Sequence, residues 1–67
     1  MKEMNAEAVG GPADGRQYDI SEEAQRIIIP SSLGYLVYLR TDNFDKNGKR
    51  LFKFAPQLSY TQEPNYG

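Results

Sequence analysis

The run Val9-Gly10-Gly11-Pro12-Ala13-Asp14-Gly15 forbids a helix through this part of the chain. Inside a helix, glycine costs about 1 kcal/mol and proline about 3 kcal/mol relative to alanine. The same residues are suited to reversing the chain. Pro12 presets its own φ for the first inner position of a turn. Asp14 can accept hydrogen bonds from nearby amides, and Gly15 tolerates positive φ. Gly10-Gly11 leaves room for the close approach of another backbone or of a ligand.

Short β-prone segments surround this turn. Met4, Ala6 and Ala8 alternate with Asn5 and Glu7, as in a weak edge strand, although alanine and glutamate also suit a helical turn. Tyr18 and Ile20 share a face in a segment expected to pair with residues 4–9. Ser21-Glu22-Glu23-Ala24-Gln25 reads as one turn of helix with a serine cap. Ile27-Ile28-Ile29 follows as a short strand that Pro30 stops, and Ser31 to Gly34 form a loop. Residues 35–41 make the clearest strand, and Asn47-Gly48 offers positive φ angles for a hairpin. Residues 49–55 return, with Phe52 and Phe54 on one face and Lys53 on the other. The expected fold is all-β: four or five short strands in a small twisted antiparallel sheet or partial barrel. Residues 1–56 form the single domain, and 57–67 a flexible tail in which Leu58 or Tyr60 is pinned to the body.

Sixty-seven residues make a small core, so a partner chain is an expected source of stability. With no cysteine and no histidine, disulfides, thiolate metal sites and the commonest general base are all excluded. No apolar run is long enough to span a bilayer, and the N-terminus lacks the apolar stretch of a signal peptide. A soluble, intracellular protein is expected. The charge is uneven. Residues 1–39 carry Lys2, Arg16 and Arg26 against Glu3, Glu7, Asp14, Asp19, Glu22 and Glu23. Residues 40–53 carry Arg40, Lys46, Lys49, Arg50 and Lys53 against Asp42 and Asp45. Such polarity can orient a partner.

No motif in the chain carries catalysis. Asp14, Asp19, Glu22 and Glu23 offer carboxylates and Ser21, Ser31 and Ser32 hydroxyls, but nothing activates a nucleophile. The glycine-rich turn lacks the lysine and hydroxyl of a phosphate loop. Asn43 to Gly48 copies the opening of a calcium loop, yet Asn43 stands at the first ligand position and Phe54 at the twelfth, where acids belong. No enzyme activity, metal or cofactor is therefore expected. The basic segment 40–53, interleaved with Tyr35, Tyr38, Phe44, Phe52 and Phe54, has the ingredients of a surface for single-stranded nucleic acid. The same pattern describes a phenylalanine core with an ordinary solvated lysine face. Ile27-Ile28-Ile29 cannot point to one side of a strand. Either Ile28 is exposed, as on a self-association surface, or both faces are covered, for instance by residues 57–67.

Val9-Gly10-Gly11-Pro12-Ala13-Asp14-Gly15-Arg16, followed by an Ile-Pro segment and a tyrosine-rich hairpin, resembles a group of small bacteriophage and prophage proteins that open on a V-G-G-P-x-D-G turn. That group has no assigned activity, so no functional residue carries over. The resemblance implies a setting, an accessory protein in the cytoplasm of a bacterial host. The leading expectation is a non-enzymatic module that binds a host or phage protein through Ile28, Tyr35, Tyr38, Lys49, Arg50 and Lys53. The alternatives are a single-stranded nucleic-acid binder using the basic hairpin and a small structural component of the virion. A homodimer is compatible with all three, and no membrane partner is expected.

Overall fold

The computed structural model describes residues 2–31 and 34–61. It is all-β, a single mixed sheet curled into a half-barrel. The strands are β1 (Glu3–Val9), β2 (Gln17–Ser21), β3 (Arg26–Ser31), β4 (Gly34–Phe44), β5 (Arg50–Phe54) and the two-residue β6 (Tyr60–Thr61). Their order is β2-β1-β5-β4-β3, and β6 pairs with β4. All pairs are antiparallel except β1–β5, which is parallel and places Ala8 beside Phe52. The expectation of purely antiparallel hairpins therefore fails at one seam. The chain leaves β1, builds β2 to β4, and returns on β5 along the open edge of β1.

Alternation sorts the side chains. Ala6 and Ala8 of β1, Ile27 of β3, Leu36 and Tyr38 of β4 and Phe52 of β5 are buried on the inner face. Met4, Tyr18, Ile20, Ile29 and Phe54 pack against them. Phe52 and Phe54 thus sit in the core as their shared face predicts, and the Tyr38 and Phe54 rings lie 5.2 Å apart. Small alanines on β1 let its partner strands curl inward over a thin core.

The glycine-rich turn is part of this core. The Gly10 N–H donates to Asp14 Oδ1 at 2.6 Å, and the Gly15 N–H donates to the Ala8 carbonyl at 2.8 Å. Ala13 is buried. Gly11 has φ +66°, and a Cβ there would stand 2.5 to 2.8 Å from Phe54 ring atoms. The close approach that Gly10-Gly11 permits is taken up by the protein's own aromatic core.

Several local expectations are corrected. Residues 21–25 form a β-turn, with the Ala24 N–H on the Ser21 carbonyl at 3.0 Å. The carbonyls of Glu22, Ala24 and Gln25 accept from Arg40 of β4, which draws the segment out along the sheet. Pro30 does not stop β3, which continues to Ser31 opposite Gly34. An edge strand can place the missing N–H of proline on its unpaired side. In the β4–β5 turn only Gly48 has positive φ (85°). The Gly48 N–H donates to the Asp45 carbonyl and the Asp45 N–H to the Lys49 carbonyl. This is a turn closed by a glycine bulge, which needs one left-handed residue rather than two. Residues 57–61 are pinned to the body, as expected of Tyr60. The Ser59 hydroxyl accepts from the Val37 N–H at 2.8 Å and donates to the Ala55 carbonyl at 2.9 Å, and Tyr60 pairs with Tyr35. The folded unit therefore runs past residue 56. The rest of the expected tail, 62–67, lies outside the described residues.

Candidate functional site

The outer face of the half-barrel carries what the core leaves over. Val37 sits buried among its outer positions. Around it, Ile28 on β3, Tyr35 on β4 and Tyr60 on β6 are 56%, 43% and 52% exposed. Ile28 is the register partner of Val37, and Tyr35 stands between Pro30 and Tyr60. The Tyr35 and Tyr60 ring centroids are 6.2 Å apart. These groups form an apolar, aromatic patch beside β3, an edge of the sheet among the described residues. Three consecutive isoleucines therefore resolve as alternation predicts. Ile27 is buried, Ile29 packs against the core, and Ile28 faces out. Residues 57–61 do not cover it.

The basic hairpin is divided by its own contacts. The Arg40 guanidinium donates through Nη1 to the carbonyls of Glu22 at 2.6 Å and Ala24 at 3.1 Å, fastening the β2–β3 turn to β4. Arg50 Nη1 donates to the Thr41 carbonyl at 3.0 Å, and its guanidinium lies 4.0 Å over the Phe44 ring. Lys46 and Lys53 are exposed and Lys49 is half-buried. Asp45 organises the turn, with Oδ1 accepting from the N–H groups of Asn47 and Lys49, each at 2.8 Å. The Lys49 N–H, then the Asn47 N–H and the Lys49 charge, hold the Asp45 carboxyl below its ordinary range against an opposing desolvation.

The six expected contact residues thus separate. Ile28 and Tyr35 lie together on the exposed patch. Lys53 stands on the same outer face opposite Leu39, in the wall of a hollow of about 430 Å³ that also touches Pro56 and Gln57. Lys49 lines a polar hollow of about 400 Å³ with Asn5, Gln17, Tyr18 and Asp19. Tyr38 is corrected outright. It is fully buried, with its hydroxyl donating to the Gly10 carbonyl and accepting from the Ala13 N–H, and it presents nothing to a partner. Arg50 is committed to Thr41 and Phe44, so reversing its charge disturbs the hairpin itself. The expected contact residues did not include Tyr60, which the sequence placed against the body, or Arg26, and both lie beside the patch. The signal for Tyr60 was its aromatic side chain within an otherwise polar segment.

Among the described residues, no group of three or more acidic side chains is gathered as a metal site needs, and no helix is long and apolar enough to cross a membrane. No protein-family model matches the chain, and neither a curated protein nor a solved structure does.

Proposed function

We propose that this chain is a small, non-enzymatic binding module whose partner is another protein, engaged through the outer patch of Ile28, Tyr35 and Tyr60 beside the edge of β3. The single observation that carries this reading is Ile28, a large aliphatic side chain exposed in the middle of an edge strand. An open strand edge offers backbone hydrogen bonds to an extended segment of a partner, and the side chains beside it supply selectivity. Tyr35 and Tyr60 add aromatic area of the kind that anchors protein interfaces. The resemblance of the Val9–Arg16 turn supports a phage or prophage accessory protein acting on a host or phage protein in the bacterial cytoplasm.

A second reading, single-stranded nucleic acid, is favoured by Phe44, which is 55% exposed beside Arg50 and the lysines of the turn. It has less to work with than the residue pattern alone offers, since Tyr38 and Phe52 are buried and both arginines of the segment are held by backbone carbonyls.

The test is differential capture from a phage-infected bacterial extract, with the wild type, Ile28→Glu and Lys46→Glu/Lys49→Glu compared at matched folding by circular dichroism. Protein binding through the patch predicts a partner lost with Ile28→Glu and kept with the lysine reversals. Labelled single-stranded DNA or RNA that binds at low salt and is lost with the lysine reversals would establish the second reading instead, through counterion release.

A further inference from the structure

The charge asymmetry along the chain becomes an asymmetry across the sheet. The side built from β1, β2 and their connections, residues 2–25, carries Lys2 and Arg16 against Glu3, Glu7, Asp14, Asp19, Glu22 and Glu23, a net charge of −4. The side built from β3 to β6, residues 26–61, carries Arg26, Arg40, Lys46, Lys49, Arg50 and Lys53 against Asp42 and Asp45, a net charge of +4. In the order β2-β1-β5-β4-β3 the strands of the two sides occupy opposite ends of the sheet, and the turn carrying Glu22 and Glu23 crosses from one to the other, held by Arg40.

Each side presents an ordered cluster on the outer face. On the basic side, Lys53, Leu39 and Arg26 form one cross-strand row, since Leu39 is the register partner of both cations. Strand spacing sets the two cations roughly 10 Å apart at the backbone, and both are exposed. Lys53 and Leu39 border the hollow of about 430 Å³, which is open to an incoming side chain. On the acidic side, Asp19 is the register partner of Asn5, and Glu3, two residues from Asn5, shares its face. Asp19, Glu3, Glu22 and Glu23 are all exposed. Lys49 shares a hollow with Asp19, the one carboxylate among its lining residues.

We infer that the acidic β1–β2 side of one copy docks on the Arg26–Leu39–Lys53 row of a second copy, head to tail. The two clusters lie on different strands of one outer face, Glu3 and Asp19 on β1 and β2 and Arg26 and Lys53 on β3 and β5, so a head-to-tail contact leaves one cluster free at each end and is heterologous rather than two-fold. Such contacts propagate into rings or filaments. The inference builds on the reading of the chain as a protein-binding module and names a partner, another copy of itself.

Sedimentation velocity over a concentration series tests it on the full chain, with Glu3→Lys/Asp19→Lys and Arg26→Glu/Lys53→Glu as charge-reversed variants at exposed strand positions. The wild type is expected to gain mass with concentration at low salt and to dissociate in about 1 M salt, where the Debye length is near 3 Å. Each variant alone is expected to stay monomeric, and an equimolar mixture of the two to associate again, because the reversed surfaces complement each other. Circular dichroism confirms that each variant is folded. A wild type that remains monomeric at low salt, or variants that associate as the wild type does, would overturn the inference. A monomer that still captures a different protein through Ile28 would remove self-association and leave the binding module standing.

Discussion

The Tyr38 hydroxyl donates to the Gly10 carbonyl at 2.7 Å across twenty-eight positions of sequence, and accepts from the Ala13 N–H at 2.9 Å. One buried side chain in the longest strand thereby holds both flanks of the glycine-proline turn. Tyr38→Phe keeps the ring and leaves two backbone groups without their partner. A loss of about 1–3 kcal/mol is expected, with faster amide exchange concentrated in residues 10–15. Urea unfolding and hydrogen exchange measure both. Uniform exchange across the sheet would show that the turn holds without Tyr38.

Gly11→Ala is expected to destabilise through two effects, positive φ and collision with the Phe54 ring. The backbone strain alone is of order 1–3 kcal/mol. Trimming the obstacle in Gly11→Ala/Phe54→Leu should make the glycine substitution less costly than it is beside phenylalanine. A double-mutant cycle on urea midpoints reads this coupling, and additive effects would rule out the steric clash.

Arg50 lies over Phe44 and bonds the Thr41 carbonyl, so arginine and lysine should not be equivalent there. Phe44→Leu is expected to cost about 0.5–1 kcal/mol through the cation–ring contact. In an Arg50→Lys background the same change should cost less. Equal costs in both backgrounds would mean that the stacking contributes no stability.

Asp45 gives the acid limb of stability a definite sign. Its carboxyl is held below the ordinary aspartate value by the turn amides, so the unfolded chain binds its proton more readily than the folded one. The stabilisation is complete above the ordinary value near 3.8 and is lost as pH falls through the depressed folded value. Asp45→Asn should flatten stability across that acid window and leave its slope near neutral pH unchanged. Denaturation midpoints measured from neutral to strongly acidic pH provide the check, and a titration of Asp45 at or above its ordinary value would contradict the turn geometry.

Much of the fold was legible in the residues. The hairpin of residues 4–9 with 16–20, the strand begun at Tyr35, the return strand with its inward phenylalanines and the outward Ile28 all follow from period-two alternation bounded by glycine and proline. The site was less legible. Ile28, Tyr35 and Lys53 do lie on the outer face, but Tyr38 looked like its neighbours in the strand and is the most completely enclosed tyrosine of the described residues. Arg40 and Arg50 counted as free charge in sequence and are tied to carbonyls in space.

The sequence by itself determined the all-β class, the position of the obligatory turn and which residues of a strand share a face. These properties are local, set by backbone sterics and by the alternation of side chains along a strand. Tertiary structure alone decided that β5 returns parallel to β1, that Tyr38 and Phe54 receive the glycine-rich turn, that Tyr60–Thr61 join the sheet beside Gly34 and Tyr35, and that opposite charges collect on its two groups of strands. Those features depend on which distant strands become neighbours. Strand order is chosen by the burial of the whole inner face, and no short stretch of residues encodes it.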